Sequence, residues 1–224
     1  MVVWGGSGGG QPDDVARDLA AHGHPAFALT YFGAPGLPPH LEGIPLEYFA
    51  RAVRAFDRRP GIDRARTVVY GSSRGSESAL LVGSLYPRLV HGVVATAPSN
   101  KSYGSAYRRG PGWTLHGKPL PVTLADDPLG GFDRKALIKV ERIRGPILLG
   151  SGAQDPLYDS KAYARAIVRR LRRRHFGYPV RSVVFAAAGH DVARQLQPIL
   201  LRWLAGPAAA QRPRRRDRRA RRRG

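Results

Sequence analysis

Six short apolar runs alternating with helical patterns leave this chain few folds to adopt. The runs are residues 2–4 (VVW), 26–31 (AFALTY), 67–70 (TVVY), 90–95 (VHGVVA), 146–150 (PILLG) and 180–187 (VRSVVFAA). Most are apolar at consecutive positions, not at every second one, so both faces of such strands must be buried. The segments 13–22, 45–58, 74–86, 160–174 and 192–205 read as helices. In the first, Val15 and Leu19 lie opposite Asp14 and Asp18. Strands separated by helices build a parallel sheet covered on both faces. The expected class is α/β, with a mostly parallel sheet of about six strands. Residues 98–140, rich in Gly and Pro, read as irregular.

A length of 224 residues suffices for one sizeable domain, and a hydrophobic fraction of 42% fits a globular chain. No run of 18 apolar residues occurs, so no membrane-spanning helix is expected. The opening MVVWGGSGGG has neither a basic n-region nor a long apolar h-region, so a cytoplasmic protein is expected. Cysteine is absent, which removes disulfides, thiolate metal sites and a Cys nucleophile together. There is no metal-ligand spacing and no P-loop, and no cofactor is expected. The net charge of +21 is uneven: residues 211–224, QRPRRRDRRARRRG, hold nine Arg and one Asp, hence +8. A second cluster, RRLRRRH, occupies 169–175. The tail cannot bury a core and is expected to be disordered. The organisation expected is a folded domain over 1–206 and an Arg-rich tail over 207–224. The partner of such a tail would be nucleic acid or another polyanion, weakly held.

The stretch TVVYGSSRGSESALL at 67–81 contains Ser72, Ser73, Ser76 and Ser78. A serine nucleophile in a parallel sheet sits on a strained turn between strand and helix, with small residues two positions before and after. Only Ser73, flanked by Gly71 and Gly75, meets that spacing with a strand before it and a helix after it. Gly5-Gly6-Ser7-Gly8-Gly9 matches the same spacing but runs on into more glycine and Gln11-Pro12. It suits another task, presenting backbone N–H groups to an oxyanion.

A serine hydroxyl needs an adjacent base, and that base a carboxylate to fix its tautomer. Of seven His, His190 alone directly follows a late strand, in VVFAAAGHDV. Asp155, in LLGSGAQDPLYDS, follows the preceding strand. Its rival Asp159 reads as an N-terminal helix residue, and Asp191 adjoins His190 too closely to bond its ring well.

These residues resemble the acyl-CoA thioester hydrolase and bile acid-CoA:amino acid N-acyltransferase family, in its C-terminal catalytic domain. The stretches that carry the resemblance are VVWGGSGGG, ALTYFGAPGLPPHLEGIPLEYFARAV, VVYGSSRGSESALLVGSLYPRLVHGVVATAPSN, VERIRGPILLGSGAQDPLYDS and FAAAGHDV. They cover most of residues 1–205. The resemblance implies an α/β-hydrolase fold with Ser73 as nucleophile, Asp155 as acid and His190 as base. It implies an oxyanion hole from the amides of Arg74 and of Gly6 or Ser7. The family domain usually has two more strands before the point where this chain starts. The sheet is therefore expected to lack the usual first two strands, leaving 26–31 as an unprotected edge. The chain would then be a fragment, start late or recruit a partner strand. Tyr158 stands where the family often has Trp, and the Arg-rich tail has no counterpart.

The implied reaction is hydrolysis of an acyl-CoA thioester, on a small-molecule substrate. Family members that transfer acyl groups to amino acids use Cys, so Ser73 favours water as acceptor. Tyr103, Tyr107 and Trp113 in 98–140 would cover the acyl chain. The alternatives are an esterase or peptidase of the same fold, or an inactive hydrolase with a polyanion-binding tail.

Overall fold

The computed structural model describes residues 1–105, 110–123 and 134–206. The disorder expected of 207–224, and Tyr107, lie outside the described residues. In chain order the elements are β1 (Val2–Trp4), α1 (Asp13–Ala21), β2 (Phe27–Leu29), β3 (Ile44–Pro45), α2 (Leu46–Asp57), β4 (Val68–Ser72) and α3 (Arg74–Leu85). Then follow β5 (Gly92–Thr96), β6 (Trp113–Leu115), β7 (Lys118–Pro119), β8 (Ile147–Gly152), α4 (Ser160–Arg173), β9 (Val180–Phe185) and α5 (Ala193–Ala205).

Six strands pair in the order β2-β1-β4-β5-β8-β9, every pair parallel. Side chains alternate across the sheet. Val2, Trp4, Val69, Val93, Ile147 and Leu149 face a core shared with α2, α3 and α4. Val3, Val68, Tyr70, Val94 and Leu148 face a second core shared with α1 and α5. Both alternating sets are apolar because both faces are covered, which is why the strands read as continuous runs. Helix α2 shows the matching helical spacing: Leu46, Phe49, Ala50, Val53 and Phe56 are buried. Each such large side chain contributes roughly 1.5–3 kcal/mol on burial.

The segment read as irregular is not wholly so. Within it, β6 and β7 form an antiparallel pair, and β6 adds in parallel to β3. These strands are two or three residues long, too short to show a period in sequence. The helix read from residue 45 begins at Leu46, since Pro45 is extended with ψ 126°. Among the described residues β2 forms one edge of the main sheet, with Phe27 40% exposed.

The strand order fixes where a site will lie. From β1 the chain moves to β2 on one side, then crosses back to β4 on the other. The crevice at the carboxyl ends of β1 and β4 is therefore the topological switch point, where ligands bind in open parallel sheets.

Candidate active site

Two glycine-bearing turns meet at that crevice. After β4, Ser73 takes φ 54° and ψ −124°, a conformation L-residues rarely adopt. The flanking glycines make it attainable. A Cβ on Gly71 would stand 2.0 Å from the Gly75 carbonyl oxygen, and one on Gly75 would stand 2.1 Å from that of Gly5. The turn thus presses against the loop after β1, and any side chain at either position forces it open. The other serines are engaged elsewhere. Ser76 Oγ donates to the Ser73 carbonyl at 2.6 Å, and Ser78 Oγ to that of Gly75 at 3.0 Å. Ser72 ends β4 paired with Thr96.

Ser73 Oγ lies 2.8 Å from His190 Nε2. His190 Nδ1 lies 2.9 Å from both carboxylate oxygens of Asp155. The Asp155 side chain is 1% exposed. Burial alone would raise its pKa. The neighbouring Ser160 hydroxyl, the His190 ring and the Leu157 N–H together outweigh that and hold it below its ordinary value. Leu157 N–H donates to Asp155 Oδ1 at 3.0 Å. Asp159 is occupied as the N-cap of α4, accepting from the Ala162 N–H at 2.9 Å. Asp191 accepts from the Ala193 N–H at 3.0 Å.

The loop after β1 backs onto Ser73. A Cβ on Gly6 would meet Ser73 Cβ at 2.8 Å and Oγ at 3.4 Å. The Tyr31 hydroxyl bridges the carbonyls of Gly5 and Gly6 at 3.1 and 3.2 Å. In a trans peptide the N–H points opposite its carbonyl, so the amides of Gly6 and Ser7 face away from Tyr31. Arg74 is the first residue of α3, where N–H groups have no partner within the helix.

A cavity of about 240 Å³ opens beside Ser73, walled by Arg74, Glu77, Ser99, Tyr103, Leu157 and Tyr158. Two larger clefts lie elsewhere. One, of about 580 Å³, sits against Leu85 and Phe176; the other, of about 320 Å³, sits against Met1 and Leu204. Neither is lined by Ser73, Asp155 or His190. Tyr103 lines the cavity, whereas Trp113 does not. Trp113 is fully buried between Tyr31 and Phe49, with its indole N–H donated to Glu77.

Sequence reasoning gave no role at the site to three residues here. Glu77 is wholly buried: it accepts from the Tyr103 N–H at 2.7 Å and pairs with Arg74 Nη1 at 2.9 Å. Burial pushes its pKa up to about 7 against the pull of Arg74, Tyr103, Trp113 and Ser102. The sequence signal was a lone carboxylate three positions after Arg74 in a run of small and apolar residues. Tyr158 sets its ring edge-on to His190 at 5.2 Å and donates its hydroxyl to the Ala97 carbonyl. Burial holds that phenol above its ordinary pKa. Leu157 is 66% exposed at the cavity mouth.

Comparison with known proteins follows the same lines. Residues 113–203 match the family model described as BAAT / Acyl-CoA thioester hydrolase C terminal. The chain is 27% identical over 215 residues to human "Acyl-coenzyme A thioesterase 2, mitochondrial", covering 87% of this chain and 42% of that protein. It is 28% identical over 208 residues to mouse "Acyl-coenzyme A amino acid N-acyltransferase 1", covering 85% and 48%. The chain thus spans less than half the length of these two relatives. Among solved structures, the monoacylglycerol lipase of Paleococcus ferrophilus superposes with TM-score 0.58 at 16% identity, over 91% of this chain and 93% of that one. Est1E from Butyrivibrio proteoclasticus superposes with TM-score 0.59 at 11% identity, over 94% and 88%. The fold is the α/β-hydrolase fold; residues 113–203 are similar to the C-terminal domain of the acyl-CoA thioester hydrolase and bile acid-CoA:amino acid N-acyltransferase family, and most of the chain is similar to the two relatives named above.

Proposed function

We propose that the chain is a serine hydrolase that converts an acyl-CoA thioester and water into a free acid and CoA. The observation that carries this reading is the unbroken chain Ser73 Oγ, His190 Nε2, His190 Nδ1, Asp155. In it Asp155 accepts from the Nδ1–H, leaving Nε2 as acceptor for the serine proton. Ser73 attacks the acyl carbon while His190 takes its proton. The oxyanion is met by the amides of Arg74 and of Gly6 or Ser7, donors worth several kcal/mol at such sites. The C–S bond breaks, and the imidazolium returns its proton to the departing thiolate. Water then gives a proton to His190 and attacks the acyl-enzyme, and Ser73 leaves reprotonated with release of the acid. An oxygen ester at Ser73 favours water over an amine as acceptor.

Thiol release from acyl-CoAs, followed with a thiol reagent, tests the reading; the protein adds no thiol of its own. Ser73→Ala is expected to reduce kcat by about 10³-fold or more. Release unchanged in that variant, or absent from the wild type, overturns it.

A further inference from the structure

We propose that the cavity beside Ser73 is an acyl site for neutral, apolar chains of up to about eight carbons, and that it rejects acyl groups ending in a carboxylate. The proposal rests on the acyl-enzyme reading above and adds the substrate class.

Size sets the first limit. At about 30 Å³ for a water-sized group, a cavity of about 240 Å³ holds about eight such groups. Its surface is almost wholly apolar, and Tyr103 forms part of its wall. That ring is fixed from behind: its hydroxyl bonds the Tyr163 hydroxyl, and the two rings meet edge-on at 6.5 Å. Tyr163 is fully buried in α4, so the wall has little room to retreat.

Charge sets the second. The cation in the wall, Arg74, is already engaged. Its Nη1 lies on Glu77, and its Nη2 donates to the carbonyls of Tyr103 and Gly104 at 3.1 and 2.7 Å. Its guanidinium is held over the rings of Tyr103 and Trp113 at 5.6 and 5.7 Å. Lys101 is wholly buried near the Tyr103 and Tyr163 rings and does not line the cavity. The acid in the wall is Glu77. An incoming carboxylate would lose its water and meet a buried acid, and among the described residues the cation that lines the cavity, Arg74, has both Nη atoms engaged.

The test compares the full chain on acyl-CoAs from acetyl to palmitoyl, with succinyl-CoA set against butyryl-CoA. kcat/KM is expected to rise about four-fold per methylene up to octanoyl and then stop rising. Succinyl-CoA is expected at least about 100-fold below butyryl-CoA. A rise continuing to palmitoyl, or succinyl equal to butyryl, overturns the proposal. Leu157→Trp at the exposed mouth is expected to move the optimum at least two carbons shorter; an unmoved optimum in a folded variant counts against the cavity as the acyl site. Nitrophenyl esters of the same acids separate the two readings. If only these react but keep the length profile, the thioester reading falls and the acyl site stands. If no ester turns over, alkyl fluorophosphonates of graded length are used, with mass-spectrometric detection at Ser73. Labelling that peaks near eight carbons supports the site; flat or absent labelling overturns it.

Discussion

Glu77 is the residue whose surroundings most depart from its chemistry. It lies on the first turn of α3, one turn from Ser73, and ties that turn to Tyr103 and Trp113. Since its folded pKa of about 7 stands above its ordinary 4.5, the folded state holds the proton more tightly. Its contribution to stability is therefore full below about pH 4.5 and is lost as pH rises through about 7. His24, His91 and the Met1 amine, all lowered by burial, titrate in the opposite sense. The readout is thus the difference between wild type and Glu77→Gln, from urea unfolding at intervals between pH 4 and 8. The stability of Glu77→Gln relative to wild type is expected to rise with pH across this window; a flat difference refutes the assignment. Asp155 works the other way: its lowered pKa gives stability that is present above its ordinary 3.8 and lost as pH falls through the lower folded value.

Helix α5 covers the second core through Leu196, Leu200 and Trp203, and it contains Pro198. A proline there has no N–H for the Arg194 carbonyl, and in a helix interior costs about 3 kcal/mol against alanine. Its side chain is exposed, so replacement removes no core contact. The unfolded chain gains about 0.4–1 kcal/mol of freedom when the ring goes. Pro198→Ala is expected to stabilise the protein by about 2 kcal/mol, seen as a higher urea midpoint at unchanged m-value. The remaining elements were largely legible in sequence. The inner strands β1, β4, β5 and β8 appeared as apolar runs because a strand covered on both faces needs apolar side chains at every position, and the edge strands β2 and β9 are partly exposed. β3, β6 and β7 were not legible, since two or three residues carry no period.

For the whole molecule, charge is the property that reaches furthest. Of the net +21, residues 211–224 hold +8. If the tail makes polyanion contacts, deleting 207–224 should weaken retention on duplex DNA. The slope of log affinity against log salt should become shallower too, as fewer counterions are released. An unchanged slope would place the contacts on the folded domain, where Arg169, Arg172 and Arg173 lie exposed on α4.

The sequence by itself determined the parallel sheet, the G-x-S-x-G turn and the order of Ser73, Asp155 and His190. The first two are written in spacings of a few residues and the third in the place of each residue directly after a strand, and the 2.0 and 2.1 Å approaches at Gly71 and Gly75 explain why glycine is needed at that turn. Only the tertiary structure decided that Trp113 belongs to the core, that Glu77 takes up Arg74 and that Tyr103 lines a cavity of about 240 Å³. Those outcomes depend on meetings such as Trp113 with Glu77, 36 residues apart, and Tyr103 with Tyr163, 60 apart. Local period and turn chemistry act over one turn or one strand, whereas side chains so far apart meet only where the packing of helix on sheet has already set their distance.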